Sequence, residues 1–121
     1  MAKMKDIKDE TYAGEQKVYE CIESNLPDEV ICYYNREING KQFDFCLLIE
    51  HMGMLIIEVK GWHSSNIIRV INPDTIETNL YSNPVGSPKK QARSYKFALV
   101  NTCNNKYCIN PLVMDMVCYP F

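Results

Sequence analysis

The strongest constraint on the fold is the stretch FDFCLLIEHMGMLIIEVK at residues 43–60, which predicts two apolar strands folded into a hairpin. Its flanking runs, residues 43–49 and 54–59, are rich in the branched and aromatic side chains that strands prefer. Because both runs are apolar on both faces, we expect the hairpin in the middle of a covered sheet.

Three charged residues, Asp44, Glu58 and Lys60, lie at the open end of this hairpin. An ionised group in a buried strand is costly unless it is paired or holds a metal. A three-residue loop at residues 51–53 would place Asp44 opposite Lys60 with Glu58 on the same face, whereas a loop of even length would turn Asp44 away. The residues alone leave two interpretations open: a carboxylate cluster that shares a cation, or a structural Asp–Lys ion pair with Glu58 solvated.

Length and composition describe one ordinary globular domain of 121 residues, with 46% hydrophobic and 23% charged residues. The net charge of −2 means that any nucleic-acid surface must be local. No apolar run has the length of a membrane span and the polar N-terminus does not resemble a signal peptide, so we expect a cytoplasmic protein that does not contact a membrane. The six cysteines form no C-x-x-C pair, which favours buried reduced thiols over a metal or disulfide framework.

The remaining pattern predicts the order helix, three strands, a strand insertion, helix and strand. Ser87-Pro88 is a strong helix start, because serine caps the backbone amides and proline suits the first helical position. Residues 1–12 are expected to be flexible and residues 13–121 to form the domain. The predicted elements are a helix at 11–25, a strand at 29–37, an Asn39-Gly40 turn, the hairpin, short strands at 67–71 and 75–78, a loop at 83–87, a helix at 88–104 and a strand at 112–119.

Glu15 stands out in the first predicted helix. It lies four residues before Tyr19 and seven before Ile22, so it follows the apolar stripe that faces the sheet. It also lies in the first turn, where the helix dipole favours an acid. The sequence leaves both explanations open.

The second predicted helix carries two groups of polar residues near its start. Gln91 and Tyr95 are four apart and share one face, and Lys89, Arg93 and Lys96 form an adjacent basic stripe. Cations in a first turn are disfavoured by the dipole, so a nearby anion such as a phosphate would explain them. A solvated surface is the alternative.

In this order, Asp44, Glu58-Val59-Lys60 and Gln91-x-x-x-Tyr95 resemble the PD-(D/E)XK nuclease superfamily, and more narrowly the nuclease-related (NERD) domain. The resemblance covers about residues 13–119. Phe43 stands where that superfamily often has proline, and the glycine expected shortly after Trp62 is missing. Further matching pieces are Gly14-Glu15, Gly53 before the Ile-Ile-Glu-Val-Lys strand, Trp62 and Asn83-Pro84.

The resemblance implies an α/β fold with a restriction-endonuclease-like αβββαβ core. A central mixed sheet would be flanked by helices, with a small β insertion after the third strand. The chain ends at Tyr119-Pro120-Phe121, just as its last predicted strand ends, so we expect a domain cut from a longer protein at the C-terminus, with a fused or partner domain.

The resemblance further implies a divalent-metal-dependent nuclease that hydrolyses phosphodiester bonds, with DNA as the expected substrate. Asp44, Glu58 and the Val59 carbonyl would bind magnesium or manganese, which prefer oxygen ligands. The metal would acidify a bound water and stabilise charge on the phosphate. Lys60 would orient that water and offset the growing negative charge, and Glu15 would complete the acidic cluster through a metal-bound water or a second ion.

On the second helix, the resemblance implies that Gln91 and Tyr95 hold the substrate backbone or the waters of the metal. Lys89, Arg93 and Lys96 would contact flanking phosphates, which carry no sequence information. Two other classes of protein fit the residues: a non-catalytic nucleic-acid-binding module, and a protein-interaction domain with an ion-paired network. Divalent-metal binding that requires Asp44 and Glu58 would separate the nuclease from these classes.

Overall fold

The computed structural model describes residues 1–9 and 11–121. Within these residues, eight strands and two helices form, with a short 3-10 turn at Ser64–Asn66. The helices are α1 (Ala13–Asn25) and α2 (Pro88–Tyr107). The strands are β1 (Lys3–Met4), β2 (Ile31–Ile38), β3 (Lys41–Ile49), β4 (Gly53–Val59), β5 (Ile67–Asn72), β6 (Thr75–Thr78), β7 (Val85–Gly86) and β8 (Val113–Cys118).

In the described part of the chain, the central sheet is mixed and has the strand order β1-β2-β3-β4-β8. The hairpins β2–β3 and β3–β4 are antiparallel, whereas β1 and β8 run parallel to their neighbours. The predicted hairpin at residues 43–60 therefore occupies the middle of the sheet, as its two apolar faces require. A smaller antiparallel sheet, β5-β6-β7, follows β4 as the expected insertion.

Both faces of the central sheet are covered by apolar side chains. On one face, Tyr19 and Ile22 of α1 pack with Phe45 and Ile57, and Phe45 has no solvent exposure. A second cluster combines Phe43, Cys46, Ile56 and Val113 with Tyr95 and Leu99 of α2. Each large side chain buried in this way contributes about 1.5–3 kcal/mol, which makes β3 and β4 a rigid platform for the charged residues at their ends.

Turn chemistry explains how the strands of the sheet are joined. Asn39 and Gly40 have positive φ angles of 51° and 77°, which confirms the predicted two-residue turn between β2 and β3. Gly53 begins β4 with φ 115°, and a Cβ there would collide with the Leu112 carbonyl. Only glycine combines that backbone conformation with such a close approach.

Three parts of the chain differ from the sequence prediction. Met4 of β1 pairs with Cys32, and Ala2 is buried, so a strand is present in the segment expected to be flexible. Glu10, which belongs to the same predicted segment, lies outside the described residues. Val85–Gly86 pairs with β6 in place of the expected loop. Helix α2 continues three residues beyond 104 and ends at Cys108 in the left-handed conformation, with φ 56°.

The predicted start of α2 is confirmed. The Ser87 hydroxyl accepts a hydrogen bond of 3.1 Å from the Lys90 amide and donates one of 3.0 Å to the Pro73 carbonyl. Ser87 therefore caps the helix and also ties it to the insertion.

All six cysteines are free thiols, and Cys32 and Cys46 are buried. Burial raises the pKa of each of these two thiols to about 12, so both stay protonated and pack as small apolar groups. None of the described helices is long and apolar enough to cross a membrane.

Candidate active site

The register of β3 and β4 sets the geometry of the site. Ile49 pairs with Gly53 and Phe45 with Ile57, and the latter is the last backbone pair of the ladder. The same register extended by one position would set Asp44 opposite Glu58. The turn therefore occupies residues 50–52, which is an odd number, as the carboxylate cluster requires. The expected pairing of Asp44 with Lys60 is wrong, because Gly53 already belongs to the strand and the register moves by one pair.

A hydrogen bond from the backbone of β4 fixes the position of the Asp44 side chain. Its Oδ2 accepts a hydrogen bond of 2.8 Å from the Val59 amide. Burial raises the pKa of Asp44, while the Val59 amide, a hydrogen bond with Glu58 and the Lys60 charge act in the opposite direction. The carboxyl group is thus fixed in place while remaining only half-buried.

Glu58 is the most deeply buried charged residue of the site, with 5% exposure. Its Oε2 is buried and has no hydrogen-bond partner among the described residues. Burial, and then the Asp44 charge, raise the pKa of Glu58 to about 8, against the opposing charge of Lys60. A buried carboxylate oxygen without a donor is costly, so this atom has the electrostatic environment of a cation ligand.

Lys60 contributes the positive charge nearest to the pair. Its Nζ lies 3.9 Å from Glu58 Oε1 and 5.5 Å from the centre of the buried Trp62 ring. The Lys60 amide donates a hydrogen bond of 3.0 Å to the Cys118 carbonyl, which fixes the end of β4 against β8. The ammonium group therefore lies near both the Glu58 carboxylate and the Trp62 ring, at a strand end that β8 fixes.

Glu15 lies in the first turn of α1 and is half-buried, so both features predicted for it are present. Burial raises the pKa of Glu15, and the Asp44 charge adds to this. Glu15 and Asp44 line one open cavity of about 380 Å³. The other lining residues are Asp9, Tyr12, Asn35 and Gln42.

Tyr95 and Gln91 differ in their relation to the carboxylates. Tyr95 is half-buried in the α2 cluster, and burial together with the charges of Glu58 and Asp44 raises the pKa of its hydroxyl. Gln91 lies one turn earlier and is exposed. Within the described residues, the structure therefore brings Tyr95 into the electrostatic field of the pair and leaves Gln91 at the surface of the helix.

The basic stripe is less exposed than a solvated surface would be. Lys89 is exposed, whereas Arg93 and Lys96 are half-buried. None of the three forms a salt bridge with another described residue. Three unpaired cations on one helix leave a local positive surface in a protein whose net charge is −2.

A model of the nuclease-related domain matches residues 10–119. The chain belongs to this family. Neither a curated protein nor a solved structure matches it significantly. The matched region of this NERD domain runs from before α1 to just after β8, and so contains every candidate residue described above.

The donor set of the NERD domain suits a hard divalent cation. Asp44 and Glu58 supply two carboxylates, and the Val59 carbonyl is an oxygen of the kind that magnesium and manganese accept. The described residues contain no group of three or more His, Cys, Asp and Glu side chains placed to hold a metal. The unpartnered Glu58 Oε2 is the observation that fits a bound cation.

Sequence reasoning missed Asp9 and Tyr34. Asp9 lines the cavity beside Glu15, although its segment is predicted to be flexible. The Tyr34 hydroxyl is buried without a hydrogen-bond partner in the described structure, and the Glu15 charge contributes to the raised pKa of this group. Tyr34 gives no sequence signal in the run Tyr33-Tyr34, because the contacts of its hydroxyl depend on how α1 packs on the sheet.

Proposed function

We propose that this NERD domain is a divalent-metal-dependent nuclease that hydrolyses phosphodiester bonds, with DNA as its substrate. The observation that carries the proposal is the buried Glu58 Oε2, which has no donor in the described structure and lies beside Asp44. Such a pair is expensive to retain in a folded core unless a cation binds it. The order α1, β2, β3, β4, α2, β8 supports a restriction-endonuclease-like αβββαβ core.

Asp44 and Glu58 would hold magnesium or manganese, with the Val59 carbonyl as a third oxygen. When bound, the cation would supply Lewis-acid stabilisation of the charge on the phosphate. In the reaction a water oxygen forms a bond to phosphorus, the bond to the leaving oxygen breaks, and that oxygen takes up a proton.

The chain's own residues then have separate tasks. Lys60, held 3.9 Å from Glu58, is placed to orient the attacking water and to offset the growing negative charge. Glu15 would accept hydrogen bonds from waters in the cavity that it shares with Asp44. Gln91 and Tyr95 would hold the substrate backbone. Lys89, Arg93 and Lys96 would contact flanking phosphates, which makes nucleic acid the partner.

We place this activity in the cytoplasm. Six free cysteines, two of them exposed, suit a reducing compartment. The assignment follows from thiol chemistry and is independent of the nuclease proposal.

The test is a cleavage assay on end-labelled single- and double-stranded DNA and RNA, with magnesium, manganese or chelator. We expect metal-dependent DNA cleavage that Asp44→Asn abolishes. Glu37→Gln, which changes an exposed carboxylate on β2, is the matched control and should cleave like the parent. Cleavage that persists in Asp44→Asn or in chelator would refute the assignment. Metal binding without cleavage of any substrate would identify a non-catalytic binding module instead.

A further inference from the structure

A second cavity, of about 310 Å³, lies between the start of α2 and β8. Pockets that hold small ligands begin at about 300 Å³. Nothing in the proposed metal site uses this cavity. Its lining residues are Lys89, Ala92, Asp115, Met116, Val117 and Tyr119.

The register of β4 and β8 places this cavity beside the carboxylate pair. Glu58 pairs with Val117, and Ile56 pairs with Asp115. Paired residues on neighbouring strands point to the same face of a sheet, and the strands lie about 4.8 Å apart. The walls formed by Val117 and Asp115 therefore adjoin Glu58 on the face that α2 covers. β8 ends the order of the central sheet in the described residues, so the cavity opens at the sheet edge.

The chemistry of the lining is mostly apolar. Ala92, Met116 and Val117 supply aliphatic surface, and Tyr119 adds an aromatic ring with 42% exposure. Aromatic rings bind the flat face of any nucleic-acid base by stacking. The cavity thus has the surfaces that a planar ring needs.

Asp115 is the lining residue that could distinguish one base from another. The residue is half-buried, and its carboxylate forms no hydrogen bond or ion pair with any described residue. A carboxylate repels a phosphate but accepts hydrogen bonds from the amino group of cytosine, and from those of adenine or guanine. Thymine presents a carbonyl oxygen at the equivalent position, which repels the carboxylate and leaves only its ring N3–H as a donor. Lys89, also in the lining, is a cation for the phosphate attached to the same nucleotide.

We propose that the cavity is a base-binding subsite that takes an unstacked, amino-bearing base next to the scissile phosphate. The inference rests on the proposed nuclease function and specifies its substrate. A base inside a duplex is stacked and its pairing edge is occupied, so the subsite favours single strands and frayed ends. Of the two pyrimidines, cytosine is the expected better occupant and thymine the poorer one.

The test uses binding without cleavage. Fluorescence anisotropy in chelator would compare labelled oligo-dC with oligo-dT of equal length at one salt concentration, with the intact chain. The parent should bind oligo-dC more tightly, by roughly tenfold for one hydrogen-bonded base. Asp115→Asn has nearly the same shape but can donate to thymine, so the ratio of the two affinities should fall to near one. The control Glu37→Gln should keep the parent ratio.

A second variant separates stacking from selectivity. Tyr119→Leu should weaken the binding of both oligonucleotides by roughly tenfold, since stacking does not depend on the base, while leaving the ratio of their affinities intact. Equal binding of oligo-dC and oligo-dT by the parent, or an unchanged ratio in a folded Asp115→Asn protein, would overturn the subsite. Failure of the nuclease proposal looks different: the parent would prefer oligo-dC yet cleave nothing when metal is added.

Discussion

Asp44 Oδ2 accepts a 2.8 Å hydrogen bond from the Val59 amide, so the Asp44 carboxylate takes the place that a strand carbonyl would fill. This bond fixes Asp44 beside Glu58 at the point where β3 and β4 stop pairing through their backbones. Two carboxylates are thereby held together in a partly buried position, with Lys60 at 3.9 Å from Glu58 as the neighbouring cation. The fold itself therefore brings together the two carboxyl groups that a divalent cation would bind.

Magnesium or manganese is expected to raise the thermal stability of the protein. A ligand that binds only the folded state stabilises it by mass action, by about 2.7 kcal/mol when its concentration is 100-fold above Kd. Thermal unfolding with and without metal measures the shift. Asp44→Asn and Glu58→Gln should each abolish it, whereas Glu37→Gln should retain it. A parent-like shift in both site variants would locate the metal elsewhere.

Lys60→Ala should separate metal binding from catalysis. Both carboxylates remain, so the metal-induced shift should survive or increase once the competing cation is removed. Cleavage should fall by about two to four orders of magnitude, the range for a positioned proton-transfer group. Single-turnover cleavage is the measurement, and Lys41→Ala, an exposed lysine on β3, is the control. Unchanged turnover in folded Lys60→Ala would make this residue a structural ion-pair partner only.

The metal-free protein should lose stability as the pH rises from about 4.5 to about 8. The pKa of Glu58 is raised to about 8 in the folded chain, so the folded state binds more protons than the unfolded state. The free energy of unfolding then falls with increasing pH in this window, by up to about 1.4 kcal/mol per pH unit for one proton. Asp44, whose pKa is also raised, contributes with the same sign.

Urea unfolding in chelator at several pH values would measure this slope. Glu58→Gln removes the titrating group with little change in shape, so its free energy of unfolding should depend less on pH than that of the parent. Glu37→Gln should keep the parent slope. Identical slopes in the parent and Glu58→Gln would show that Glu58 is ionised throughout the range.

Neutralising Lys89, Arg93 and Lys96 together should weaken nucleic-acid binding regardless of sequence. The dependence of log K on log salt should flatten by about 0.7 to 0.9 for each phosphate that the protein no longer neutralises. A salt titration of binding is the measurement. A Lys3→Ala/Lys5→Ala variant is the comparison, because it removes two exposed lysines near the N-terminus instead. An unaltered slope in the triple variant, with a reduced one in the comparison, would move the binding surface to the N-terminus.

Gly53→Ala should destabilise the domain by about 1–3 kcal/mol or more, because φ is 115° and the added Cβ meets the Leu112 carbonyl. Gly86→Ala is the control, since a Cβ there meets nothing within 4 Å. Chemical unfolding of both variants tests the difference. Equal stability of the two would mean that the β3–β4 turn can change its register without cost.

Features that depend on neighbouring residues could be predicted from the sequence, whereas features that depend on distant contacts could not. The hairpin, the Asn39-Gly40 turn and the Ser87 cap are predictable because each depends on residues within a few positions of one another. Membership of the NERD family is predictable for a different reason, since its motifs follow one another in a fixed order along the chain. Strand β1 escapes prediction, because two residues have no periodicity and pair only with a strand almost 30 positions away.

The sequence alone determined that Asp44, Glu58 and Lys60 would lie at the open end of a buried hairpin, because the apolar runs occupy the strands between them and the turn. It left open whether Asp44 shares a face with Glu58, since that depends on the length of the loop. Tertiary structure decided the register that sets Asp44 opposite Glu58, because the close approach of Gly53 to Leu112 selects which residues form the turn. It also decided the half-burial of Arg93 and the cavity around Asp115, since both depend on how α2 packs across β8, which no local pattern encodes.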